Sequence, residues 1–304
     1  MRLYRLFAAV ACAAPAFAVT TALPAAAGAA DPVSLRWKFE AGQTVKYEFS
    51  QKNDITVKSK GQEQKSFSEL IFDLTWAVKA VAADGSADVV MTVDRVRTNV
   101  KNGEKTVLYD SKSKDEPEPA AAQMVAVYKA VIGAVYEIKV DARGRVVEAT
   151  VPVAVTAVVK GSQYQAVADG GSVLSGRGVR NMFLQVIPPL PDAPLAIGGT
   201  WEERMDLPSG PLTVMLREVY TLTKADSDSV TIDAKVITKR EPNAGMPLTV
   251  EITKDNGKAT FEFDPKAGKI VKSLVTQSMD ASMKVADQNI GQLIEIQVSF
   301  KRLP

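Results

Sequence analysis

The 304-residue chain carries 37 Lys and Arg against 35 Asp and Glu, 46% hydrophobic residues, one cysteine and no histidine, for a formal net charge of +2. Without imidazole, Ser-His-Asp hydrolysis, Cys-His proteolysis, zinc hydrolysis and facial-triad iron chemistry lose their usual base or ligand. The evenly mixed charges lack the basic face that phosphate binding requires, so nucleic acid is not an expected partner.

Residues 1–30 have the layout of a secretory signal peptide. Arg2 and Arg5 precede a weakly apolar run from Leu6 to Leu23, and small residues follow. Cleavage fits after Ala18 or near Ala30, and the expected location is periplasmic or extracellular. The run is interrupted by Pro15 and Pro24, too short for a membrane span of about 20 strongly apolar residues, and no later segment qualifies. The single cysteine, Cys12, lies within it and allows a second reading as the lipid-anchored residue of a lipoprotein. Removal of residues 1–30 leaves a chain without a thiol, which excludes disulfides, thiolate nucleophiles and Cys-based metal sites.

Residues 31–150 read as a β-rich lobe. Val45, Tyr47 and Phe49 alternate with polar residues, as do Leu70, Phe72, Leu74, Trp76 and Val78, and then Val89, Met91 and Val93. This period of two marks half-buried strands, and Asp84-Gly85 and Asn102-Gly103 supply turns between them. A charged, proline-containing loop is expected over Ser111–Pro119. A short helix follows at 120–132, entered after Pro119, with Met124, Val127, Tyr128 and Val131 on one face.

Residues 151–194 read as a helical and proline-rich connector. Val179, Met182, Phe183 and Val186 form a helical stripe that Pro188-Pro189 stops, whereas the Ala- and Val-rich stretch from Val151 to Gly171 suits either a strand or a helix. A second β-rich lobe is expected over 195–304, with strands around Leu248-Val250-Ile252 and Ile294-Ile296-Val298-Phe300 and turns at Asn256-Gly257 and Gly268.

The phrase YEIKVDARGRVVEATV, Tyr136–Val151, has an echo in FEFDPKAGKIVKSLV, Phe261–Val275. The hairpin 80–93 likewise resembles 222–234, and the entry 42–45 resembles 199–201, in the same order. Internal duplication accounts for this; so does the frequency of Asp-x-x-Gly hairpins in antiparallel sheets.

Several residue groups suggest chemistry and fall short of it. Ser111 and Lys114 have Ser-x-x-Lys spacing but lie in a charged loop, not at the start of a buried helix. Asp226 and Asp228 lack the glycine and distal Glu of a Ca²⁺ loop. Glu202-Glu203 and Glu116-Glu118 carry no sign of facing each other across a cleft. Gly198–Trp201 reads as a turn feeding a buried aromatic anchor. No catalytic residue, cofactor or metal site is expected, and the chain is not read as an enzyme.

The runs LRWKFEAGQTVKYEFSQKNDITV, VLYDSKSKDEP, YEIKVDARGRVVEATV and LPDAPLAIGGTWEE together resemble a family of exported proteins of unknown function from planctomycete-type bacteria. The recognisable points are Tyr109–Ser111, the D-x-x-G-x-V of Asp141–Val146 and the G-x-x-W of Gly198–Trp201. The resemblance implies an exported β-rich domain and adds no site residues.

The fold class expected is mainly β: antiparallel sheets in two related lobes, as a curved half-barrel or a sandwich, with two or three short helices. A curved sheet plugged by a helix leaves a groove for an apolar ligand, lined by Phe49, Phe72, Trp76, Met91, Phe261 and Phe263 unless these are ordinary core. The expected role is a non-enzymatic binding module for an apolar or lipid-like molecule in the cell envelope. The alternative is a structural or protein-interaction β domain with a fully packed core, and the partner expected is a hydrophobic small molecule or an envelope protein.

Overall fold

Alternation of apolar and polar side chains puts one face of every long strand in a core and the other in water. A computed structural model of the chain, which describes residues 32–115, 121–162, 164–170, 172–209, 212–243, 248–285 and 288–304, resolves how those faces combine. The expected signal segment with Cys12, and Glu116-Glu118, lie outside the described residues.

The first stretch forms β1 (Thr44–Ser59), β2 (Gln62–Val81), β3 (Ala87–Asn102), β4 (Lys105–Asp110), α1 (Ala122–Val131), β5 (Val135–Val140) and β6 (Val146–Thr150). The connector forms α2 (Val153–Val159), a 3-10 turn (Gln165–Gly170) and α3 (Gly176–Leu184). The remainder forms β7 (Thr200–Ser209), β8 (Leu212–Ala225), β9 (Val230–Pro242), β10 (Leu248–Asp264), β11 (Lys269–Val285) and β12 (Gln288–Arg302). The described strands make one open, antiparallel 12-stranded sheet in the order β6-β5-β3-β2-β1-β12-β11-β10-β9-β8-β7, with β4 paired to the outer half of β3. The stretches 31–150 and 195–304 contribute its two contiguous halves. Among the described residues no second sheet faces it, so the sandwich alternative gives way to the curved one.

The path is a meander whose first and last strands pair, from Tyr47 opposite Arg302 to Ser59 opposite Ile290. It is a barrel-like order left open between β6 and β7, where the connector enters. α3 packs on β6 and the 3-10 turn on β7, and two long contacts show the curl. Arg143, in the β5–β6 turn, donates to Glu203 of β7 at 2.7 Å. Arg240 of β9 donates to Gln292 of β12 at 3.3 Å, although in a flat sheet three strand spacings would hold those strands about 14 Å apart.

α3 plugs the curl. Ser175 caps it, its side chain accepting from Gly178 N, which satisfies an otherwise free donor of the first turn. Val179, Met182 and Phe183 recur at helical spacing and are fully buried. The Phe183 ring meets Trp76 edge-on at 4.9 Å and Phe300 at 5.8 Å. Tyr47 stacks on Phe300 at 4.4 Å, which extends the cluster across β1 and β12.

The echoed phrases form equivalent turns that hold one strap. In each, an Asp side chain accepts two backbone N–H bonds: Asp141 from Arg143 and Arg145, and Asp264 from Lys266 and Ala267. Trp37 N donates to Ala142 O at 2.9 Å and Lys38 N to Gly268 O at 3.1 Å. The segment 33–39 is thereby clamped between the two turns. Gly144 and Gly268 have φ of +90° and +62° and lie against Trp37 and Lys38, where a Cβ would collide.

Two local expectations change. Asn256-Gly257 is not a turn: β10 runs through it, with Gly257 opposite Gln277 and Val236, because pairing on both sides outweighs the local turn preference. The ambiguous stretch after Val151 is helical in α2 and the 3-10 turn.

Candidate apolar groove on the inner face

The covering elements stop short of the sheet's far end. α3 ends at Leu184, and Gln185 is the last residue of that segment to reach a groove of about 250 Å³ inside the curl. Its apolar lining comes from β7 (Leu207), β8 (Val214, Leu216), β9 (Val236), β11 (Val275, Met279) and β12 (Ile296, Val298). Gln51, Gln277, Glu218 and Arg240 are the remaining lining residues.

Inward positions on β8 alternate as Val214, Leu216, Glu218, Tyr220 and Leu222, so Glu218 interrupts an apolar row. It is 4% exposed. Tyr220 Oη donates to its carboxylate, and the register places it directly opposite Glu203 of β7. Arg143 pairs with Glu203, and no cation pairs with Glu218 among the described residues. Burial therefore pushes the Glu218 carboxyl up to about 7; the Tyr220 hydrogen bond opposes that, and the Glu203 charge adds to it.

Arg240 occupies an inward position on β9, after Val230, Ile232, Ala234, Val236 and Thr238. Val236 lies opposite Glu218 and Val214 opposite Arg240, so Glu218 and Arg240 stand four strand positions, about 13 Å, apart along the groove. Glu218 is at the end next to the packed Trp201–Tyr220 pair, whose rings stack at 5.1 Å. Arg240 is at the far end. Its Nε is buried without a partner, and among the described residues its side chain donates to a neutral amide, Gln292. Burial lowers the pKa of the guanidinium. No carboxylate pairs with it among the described residues.

The six residues expected to line a groove lie elsewhere. Phe49, Phe72, Trp76, Met91, Phe261 and Phe263 are all at most 2% exposed and pack in the core beneath α3 and the strap; none borders the groove.

The remaining candidates have structural partners. Ser111 Oγ accepts from Val96 N at 3.1 Å, and Lys114 is exposed. Asp226 N donates to Ser229 O in the β8–β9 turn, and Asp226 pairs with Lys224 and Asp228 with Lys266. Glu202 faces outward, where Arg217 and then Arg204 hold its carboxyl down to about 2, while Glu203 faces inward. Trp201 is half-buried, with Nε1 donating to Pro189 O at 2.8 Å. Among the described residues, no group of three or more His, Cys, Asp or Glu is arranged to hold a metal, and no helix is long and apolar enough to cross a membrane.

Residues 84–270, more than half the chain, match the Family of unknown function (DUF6263). No curated protein matches in sequence. Among solved structures, one described as lipid-protein interactions in lipovitellin aligns with a TM-score of 0.48 at 10% identity, over 88% of this chain and 26% of that one. The present chain thus spans about a quarter of that protein. The translocator domain of autotransporter NalP from Neisseria meningitidis aligns with a TM-score of 0.19 at 6% identity, over 87% and 90% of the two chains.

Proposed function

We propose, for a chain that belongs to this family of unknown function, a non-enzymatic role as a binding protein for an apolar or lipid-like molecule. The observation that carries this reading is the groove itself: apolar side chains from five strands that border an open space where the helical plug ends. Inner-face apolar surface in a filled domain is covered by other side chains; here it borders a space of about 250 Å³, just under the ~300–1,000 Å³ of typical small-ligand pockets.

A site in the cell envelope follows from the signal-peptide layout of residues 1–30, which delivers the chain to a compartment where apolar molecules need a carrier through water. Lack of histidine, and of any cysteine after residue 30, supports binding without turnover.

Native mass spectrometry of the protein purified from its own host, followed by solvent extraction, tests the role. A stoichiometric, extractable apolar adduct is the expected result. A clean ligand-free mass, with no uptake of a neutral apolar fluorophore, counts against it.

A further inference from the structure

Resting on that reading, we infer that the groove selects a single-chain amphiphile with an anionic carboxylate head, which Arg240 pairs with at the far end while the chain runs inward toward Glu218. Three observations converge. The space of about 250 Å³ suits one chain better than a two-chain lipid. Apart from Glu218, the rest of the wall is eight apolar side chains and three neutral amides, Gln51, Gln185 and Gln277, so Arg240 is its one cation among the described residues. Arg240 presents a guanidinium with an unpartnered buried Nε–H beside this wall, and its acceptor, Gln292, is a neutral amide at 3.3 Å.

A planar guanidinium is matched by a carboxylate, which takes two parallel N–H bonds where an alcohol or ester oxygen takes one. Leaving a buried donor unpaired is costly, and a ligand that supplies the acceptor is favoured by that difference. A cationic head would meet Arg240 as a like charge. At the inner end, Glu218 faces the chain terminus with its carboxylate held by Tyr220, and Glu203 opposite it is occupied by Arg143, so no cation competes there for the ligand head.

Isothermal titration of the full protein with dodecanoate, dodecanol and dodecylamine tests this. Dodecanoate is expected to bind about tenfold or more tighter than dodecanol, as one charge-assisted pair would give. Arg240→Gln should bring dodecanoate to the level of dodecanol and leave dodecanol unchanged. Equal affinities for acid and alcohol in the wild-type protein, or a preference that survives in Arg240→Gln, would overturn the assignment of the head group while leaving apolar binding intact. Binding of none of the three would overturn both.

Discussion

Arg143 and Glu203 are 60 positions apart in sequence and near opposite ends of the strand order, yet their side chains meet at 2.7 Å. Arg143 also donates to Leu190 O, so one guanidinium ties the β5–β6 turn, the segment after α3 and the edge strand β7. A half-buried pair of this kind, with Arg143 16% exposed, costs more to break than a surface bridge, because the remaining partner stays partly desolvated.

Arg143→Met is therefore expected to lower the unfolding free energy by about 2–3 kcal/mol. A double-mutant cycle with Glu203→Gln should return a coupling of about 1–2 kcal/mol. Urea denaturation measures both. Additive single effects would mean that the pair does not hold the curl.

The strap between the echoed turns can be separated from simple backbone strain. Gly144, Gly268 and Gly42 all have positive φ, but only the first two approach another segment; Gly42 has nothing within 4 Å of where a Cβ would stand. Gly42→Ala should cost about 1–2 kcal/mol, the left-handed penalty alone. Gly144→Ala and Gly268→Ala should each cost about 3 kcal/mol or more, since Trp37 or the Lys38 backbone must also move. Thermal unfolding of the three variants checks the difference, and equal losses would refute the clamp.

Glu218 makes stability depend on pH in a definite direction. Its folded-state value, about 7, lies above its ordinary 4.5, so the unfolded chain gives up this proton first. The stabilising effect of the neutral carboxyl is complete below pH 4.5 and is lost as pH rises through about 7. The loss amounts to roughly 3 kcal/mol at most. Glu218→Gln keeps an acceptor for Tyr220 and should flatten the decline in melting temperature between pH 5 and 8. An unchanged slope in the variant would show that another group controls it.

Strand positions, the two helical stripes and the turns other than Asn256-Gly257 were legible because alternation and glycine placement are local signals. Their assembly into one curled sheet was not, since closure of β1 on β12 depends on residues some 250 positions apart. Large apolar side chains are a poor guide to an open space: Phe49, Phe72, Trp76, Met91, Phe261 and Phe263 bury much area and sit where packing is dense. The better signal was present in the alternating rows themselves. Glu218 and Arg240 each stand at an inward position of an otherwise apolar strand, and a charge written into a core-facing row marks a place where the core is incomplete.

Whether the inner-face space receives a molecule is decided most directly by titrating the wild-type protein, Leu216→Trp and Val275→Trp with N-phenyl-1-naphthylamine, a neutral apolar fluorophore. One equivalent should bind to the wild-type protein, and the indole of either variant should fill the space and weaken uptake about tenfold or more while the urea midpoint moves little. Undiminished uptake by both folded variants, or none by the wild-type protein, would contradict a ligand site in the groove.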